Sequence, residues 1–446
     1  MNRKILQSCL LICSVLYISD LPAQKHQLKC RFVQTQILEA EEDIGSCIAS
    51  GDIDGDSDID LVMMNFGDID FPESGGLTIF RNGGQADFSL ETINTPLGVH
   101  PCLPTLIDVD ADLDLDIVCI VFFLSVGVFL NDGTGDFTFF QSTPFPPTEV
   151  LVPFEIQQAD FDSDGDTDVM FNGFDFGPLI PWASFFANNR KGNFTHIQPQ
   201  YFPISGGQTA SVADVDGDLD PDVAITGPNF PFDSVDIFEN NGSASFAIRV
   251  IDTGQTSMTK LSDIDNNSAP DLVVASSGES VVGTLLNEGD GTFGPRVDYP
   301  IAGRPNEIAA VDLENDGDSD LLAFGRTDQF IAILFNDGTA NFPIQQTISF
   351  ADFVEAELGD FDGDSDLDLA VAFSSNTSDV RQVAIFINQC GFLGDVDGDG
   401  IIDLSDVAPF IERLTAGEYQ LEADVNCDGA LNLTDVAPFV DLLVGG

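Results

Sequence analysis

Short apolar runs alternate along the chain with acidic and glycine-containing turns, in an order that returns roughly every fifty residues. An apolar run such as 47–50 or 308–311 leads into an acidic stretch, and a β-rich run such as 61–64, 272–275 or 369–373 leaves it. A third run ends in Asn and a turn, at Asn82-Gly-Gly, Asn131-Asp-Gly, Asn240-Asn-Gly, Asn287-Glu-Gly and Asn336-Asp-Gly. These are hairpin signals. Six residues after the first Asn a Phe opens a fourth run, at Phe88, Phe137, Phe194, Phe246, Phe293 and Phe342. Four short antiparallel strands per unit make one propeller blade, and a period of this size marks a propeller or solenoid.

The acidic stretch is nine residues long with oxygen-bearing side chains at alternate positions. Its copies are Asp52, Asp54, Asp56, Asp58, Asp60; Asp108, Asp110, Asp112, Asp114, Asp116; Asp160, Asp162, Asp164, Asp166, Asp168; and Asp214, Asp216, Asp218, Asp220, Asp222. Then follow Asp263, Asp265, Asn267, Ala269, Asp271; Asp312, Glu314, Asp316, Asp318, Asp320; and Asp360, Asp362, Asp364, Asp366, Asp368. Seven copies predict a seven-bladed, all-β propeller over residues 29–391. The seventh copy lacks a fourth strand. Phe32 lies 20 residues before Asp52, as Phe88 lies 20 before Asp108, so residues 31–39 are predicted to supply that strand and close the ring. Closure leaves few exposed sheet edges.

Five carboxylates in one loop repel one another unless a hard cation neutralises them, and an all-oxygen set suits calcium. Positions 1, 3, 5 and 9 are expected to offer side-chain oxygens and position 7 its carbonyl. The fifth copy fits this scheme, because only position 7, Ala269, lacks a side-chain oxygen. The alternative of solvated acidic turns is disfavoured by seven repetitions in one frame. The repeats resemble the FG-GAP and VCBS repeats of integrin α-like propellers. That resemblance implies calcium in the loop between the first two strands of each blade and ligand binding on the opposite face.

A different spacing begins at residue 394. Asp395, Asp397, Asp399, Ile401, Asp403 and Asp406 fit an EF-hand loop with Gly400 at position 6, and Asp424, Asn426, Asp428, Ala430, Asn432 and Asp435 repeat it. Each runs into Val-Ala-Pro-Phe, with Pro409 and Pro438 in a first helical turn where no amide partner is lost. Residues 394–446 resemble a type I dockerin, which implies a cohesin-like partner and makes about nine calcium sites in all, seven in the blades and two here. Position 10 is apolar in both loops, Leu404 and Leu433, and position 11 is a hydroxyl, Ser405 and Thr434.

Composition narrows the setting. Arg3, Lys4, an apolar run over 5–18 and Ala23 have the order of a signal peptide, residues 1–23, so a secreted or cell-surface protein is expected. No segment is long and apolar enough for a transmembrane span. With 75 acidic and 15 basic residues the formal charge is −60, which argues against nucleic acid. Six cysteines follow the leader, and 15 pairings are open. A clasp between Cys30 and Cys390 is expected to lock the ring, with Cys390–Cys427 as the alternative.

The function expected is binding of an extracellular protein ligand by a monomeric, calcium-stabilised propeller tethered through the dockerin-like module. Aromatic loops carrying Phe174, Phe176, Trp182, Phe230 and Phe232, with the connection 145–154, are the candidate ligand face, unless these rings cap the core between blades. A carbohydrate-binding lectin or a polysaccharide-active enzyme is the alternative. Catalysis is not expected: His26, His100 and His196 form no recognisable constellation, and most acids are committed to the loops.

Overall fold

The computed structural model describes residues 32–39, 48–65, 76–94, 101–121, 125–145, 151–175, 180–198, 209–226, 234–350, 353–374, 381–388 and 407–416, with positions 396, 404, 405, 423, 431, 433, 436, 439 and 440. The leader, the Cys30–Cys390 clasp and the twelve C-terminal loop ligands lie outside the described residues. So do Phe176, Phe230 and Phe232.

Seven four-stranded antiparallel sheets form the propeller. The first blade is typical: Ile48–Gly51, Asp60–Asn65, Gly76–Asn82 and Phe88–Asn94 pair in sequence order. The last blade takes its outer strand from the other end of the chain. Phe32–Glu39 pairs antiparallel with Arg381–Asn388, in the register Phe32↔Asn388 to Glu39↔Gln382.

Each blade packs both faces against a neighbour, which is why the second and third strands read as continuous apolar runs. In Asp60–Asn65, Leu61 and Met63 face the last blade while Val62 and Met64 face the second. Outer strands such as Thr138–Pro144 and Ala247–Asp252 have only one partner and alternate exposed with half-buried residues. Seven apolar clusters fill the seven gaps between blades. At roughly 25 cal/mol per Å² of apolar surface removed from water, these gaps hold the ring together.

One expected loop is shorter than the sequence suggested. Strands Asp168–Asp175 and Ile180–Ala187 extend into it, and Trp182 is 3% exposed, edge-to-face with Phe145 at 5.3 Å. Trp182, Phe145 and Phe171 are therefore core between the second and third blades, not a ligand face.

In the C-terminal module one helix, Val407–Ala416, is described. Its Phe410 stacks on Phe439 at 4.0 Å with planes 7° apart, and with Val396 and Ala423 makes a small core.

Candidate functional site

Every acidic loop is built alike. The position-1 carboxylate accepts backbone N–H groups from positions 5 and 6 in every loop, and in the first, second, fourth and seventh blades from position 4 as well: Asp52 accepts from Gly55 at 2.8 Å, Asp56 at 3.2 Å and Ser57 at 3.0 Å. Position 5 caps position 7 in the same way, as Asp56 accepts from Asp58 N at 3.0 Å. Positions 4 and 6 take left-handed backbone, which glycine favours. Position 6 nevertheless holds Leu113 (φ 79°) and Leu219 (φ 75°), whose side chains are 90% and 89% exposed.

These turns bring ligand oxygens together. Positions 1, 3 and 9 converge to within 4.8 Å in Asp52/Asp54/Asp60, Asp108/Asp110/Asp116, Asp160/Asp162/Asp168 and Asp263/Asp265/Asp271, and positions 1, 3 and 5 do so in Asp214/Asp216/Asp218. At position 3, buried Oδ1 atoms of Asp54, Asp110 and Asp162 lack a hydrogen-bond partner. An orphaned buried acceptor beside two more carboxylates is costly without a cation. Burial pushes the position-9 carboxyls up, to about 6 for Asp60, Asp116, Asp222 and Asp271 and about 7 for Asp168, Asp320 and Asp368, against the opposing pull of two backbone N–H bonds each. The donor set, all hard oxygens around an uncompensated negative charge, fits calcium.

Position 7 turns away from this cluster. Its carboxylate leans over the turn glycine after the third strand: a Cβ at Gly242 would stand 2.6 Å from Asp220 Oδ1, and one at Gly338 2.7 Å from Asp318 Oδ2. In the fifth blade, where position 7 is Ala269, the space at Gly289 is open. In the third blade Arg190 stands where the glycine would be and pairs with Asp166.

Two recurrent residues escaped the sequence reading. The apolar residue at position 2 of each loop (Ile53, Val109, Phe161, Val215, Ile264, Leu313, Phe361) is at most 1% exposed and plugs the gap to the next blade. Its invariably apolar character, between acids, was the available signal. The turn asparagine is the second. Read as a hairpin residue, it is buried and works between blades: Asn131 Nδ2 donates to the Ile53 carbonyl of the preceding blade at 2.7 Å, and Asn188, Asn240, Asn287, Asn336, Asn388 and Asn82 repeat the bond at 2.8 to 3.1 Å.

Families with these two kinds of loop are known. A model described as an FG-GAP-like repeat matches residues 108–171, 160–225 and 263–323, and a model described as a dockerin type I domain matches 393–438. The chain carries FG-GAP-like repeats and a type I dockerin domain. A dockerin implies a cohesin-type partner, and the two together point to an extracellular or cell-surface protein. No curated protein matches the chain. Among solved structures it is similar to BBS1N in complex with ARL6DN soaked with lead (TM-score 0.53, 12% identity, 80% of this chain and 98% of that one). The mercury-soaked form of that complex is also similar (TM-score 0.54, 11% identity, 80% and 96%). These likenesses show the propeller fold alone. Among the described residues, no helix is long and apolar enough to cross a membrane.

The first strands of several blades also line a central channel. A cavity of about 610 Å³ is lined by Glu155, Glu307, Glu355 and Glu357 with Arg326 and Thr209. Arg326 lies 3.5 Å from Glu307 and 3.9 Å from Glu355. Burial pushes Glu155 up to about 7 and, with the Glu307 charge, Glu357 to about 8; Lys260 opposes both.

Proposed function

We propose that this chain is a calcium-stabilised, non-catalytic propeller that binds an extracellular protein ligand and is held on its scaffold by the dockerin. The observation that carries the reading is the repeated loop, whose oxygens converge in at least five of the seven copies and are organised by backbone N–H groups for holding an ion rather than for acting on a substrate. The family models support the tether. Against a lectin, the single Trp of the chain, Trp182, is buried in the core, so its ring is not offered to a sugar. His196 shares its Nε2 with Ser184 Oγ at 3.2 Å, and its ring packs on Phe186.

Elemental analysis and melting with and without chelator test the calcium part. Fewer than about four ions together with an unchanged melting temperature would overturn it. The tether is tested by removing residues 394–446, after which the chain should fold and leave its scaffold or cell surface.

A further inference from the structure

The position-9 carboxylates and the turn asparagines form one continuous path. In each blade the position-2 N–H donates to one oxygen of the position-9 carboxylate, as Ile53 N does to Asp60 Oδ2 at 3.2 Å. The asparagine N–H donates to the other oxygen, as Asn131 N does to Asp116 Oδ1 at 2.8 Å. The asparagine side chain then reaches the position-2 carbonyl of the blade before. Starting at Asp60, the path passes through Ile53 to Asn131 and Asp116 of the second blade. After all seven blades it returns through Phe361 and Asn82 to Asp60, at 2.8 and 2.7 Å.

We infer that this closed circuit couples the seven loops, so that an ion held in one loop orders the carboxylates of its neighbours and raises their affinity for ions. The inference rests on the calcium reading above. Each position-9 carboxylate would serve an ion and two backbone donors together, so fixing it fixes a residue whose carbonyl holds the next blade. Those residues are buried and packed between blades, which leaves them little freedom to absorb a shift locally. An ordering cost met by the first ion is not met again by the second, and this is positive coupling. Contacts between loop tips are a weaker route, because side-chain bonds such as Asn266 Nδ2 to Asp318 (2.6 Å) and Asn315 Nδ2 to Asp366 (2.8 Å) are solvent-exposed.

Asp265→Ala in the full chain removes a position-3 ligand of the fifth blade; the Asp265 carboxylate accepts from Asn267 N, which is outside the circuit, and meets the circuit only through the charge it places beside Asp271. With calcium present, coupling predicts the loss of more than one ion. It also predicts hydrogen exchange about fivefold or more faster at the Val215 and Leu313 amides of the flanking blades, and a smaller change at the distant Val109. Loss of a single ion, with faster exchange confined to Ile264, would overturn the coupling and leave the calcium reading standing. A wild-type chain that holds no ion would overturn both. Asn336→Asp keeps the oxygen that accepts from Gly338 N and removes the donor to the Ile264 carbonyl. The Ile264 carbonyl keeps a backbone bond from Ala340 N at 3.0 Å, so in that background Asp265→Ala should still accelerate Val215 fully but Leu313 less, and an undiminished response at Leu313 would rule the circuit out as the route.

Discussion

Asn82 donates its side-chain amide to the Phe361 carbonyl at 2.8 Å, bonding the first blade to the last across 279 residues of sequence. The same amide reaches the Ile59 carbonyl at 3.2 Å. Asn82→Ala would remove one of the two donors to the Phe361 carbonyl, which keeps the Ala86 N–H at 2.8 Å, and the side-chain donor to the Ile59 carbonyl, and a cost of about 1 to 3 kcal/mol is expected. Asn341→Ala, which removes an exposed donor to Asp337, should cost under about 0.5 kcal/mol. Urea midpoints of the two variants check the difference, and equal midpoints would refute the role given to Asn82.

Calcium removal should lower the melting temperature steeply. An ion at a hundred times its dissociation constant adds roughly 2.7 kcal/mol to the folded state, and several ions multiply the effect. Calorimetry in calcium and in chelator, at one pH, measures it.

The channel glutamates make a pH prediction whose sign follows from their raised values. Glu155 at about 7 and Glu357 at about 8 bind protons more tightly folded than unfolded. Their contribution is fully present below the usual carboxylate range and is lost as pH rises through 7 to 8. The facing charges are Glu307, Glu355, Lys260 and Arg326. In saturating calcium the melting temperature should therefore fall between about pH 6 and 8.5, and Glu155→Gln/Glu357→Gln should flatten the fall. A parallel pH profile in the double variant would count against this assignment.

The dockerin module gives two separable variants. Phe410 is 3% exposed against Phe439, so Phe410→Ala should cost about 3 to 5 kcal/mol and expose the module to proteolysis. Leu404 and Leu433 are 81% and 79% exposed, so Leu404→Asp/Leu433→Asp should leave the fold intact and weaken docking to a cohesin-type partner. Limited proteolysis and surface plasmon resonance distinguish the two effects.

The ring and its closure were legible because both follow from spacing: a strand 20 residues ahead of an acidic loop can pair in only one register once the inner faces must be apolar. That the alternating acids form a cluster was legible from their spacing, and Ala269 set position 7 apart. That positions 1, 3 and 9 meet while the position-7 carboxylate leans over the turn glycine was not, because the left-handed turns at positions 4 and 6 decide it. The bond from Asn131 to Ile53 was not, because local sequence describes a hairpin and says nothing of what the next blade offers it. For Trp182 the sequence left ligand face and core cap both open, since the run 171–182 reads as a loop until pairing with the neighbouring strand extends it and settles the ring in the core.

The pairing of Phe32 with Asn388 also orders events in time. The strand made first has its partner made last, so during synthesis the outermost edge of the final blade cannot exist until nearly the whole propeller has left the ribosome. Until then the apolar faces of the first and sixth blades have no partner, and the growing chain carries them open. Emergence of Arg381–Asn388, rather than the formation of any earlier blade, then sets when the ring can first become one cooperative unit.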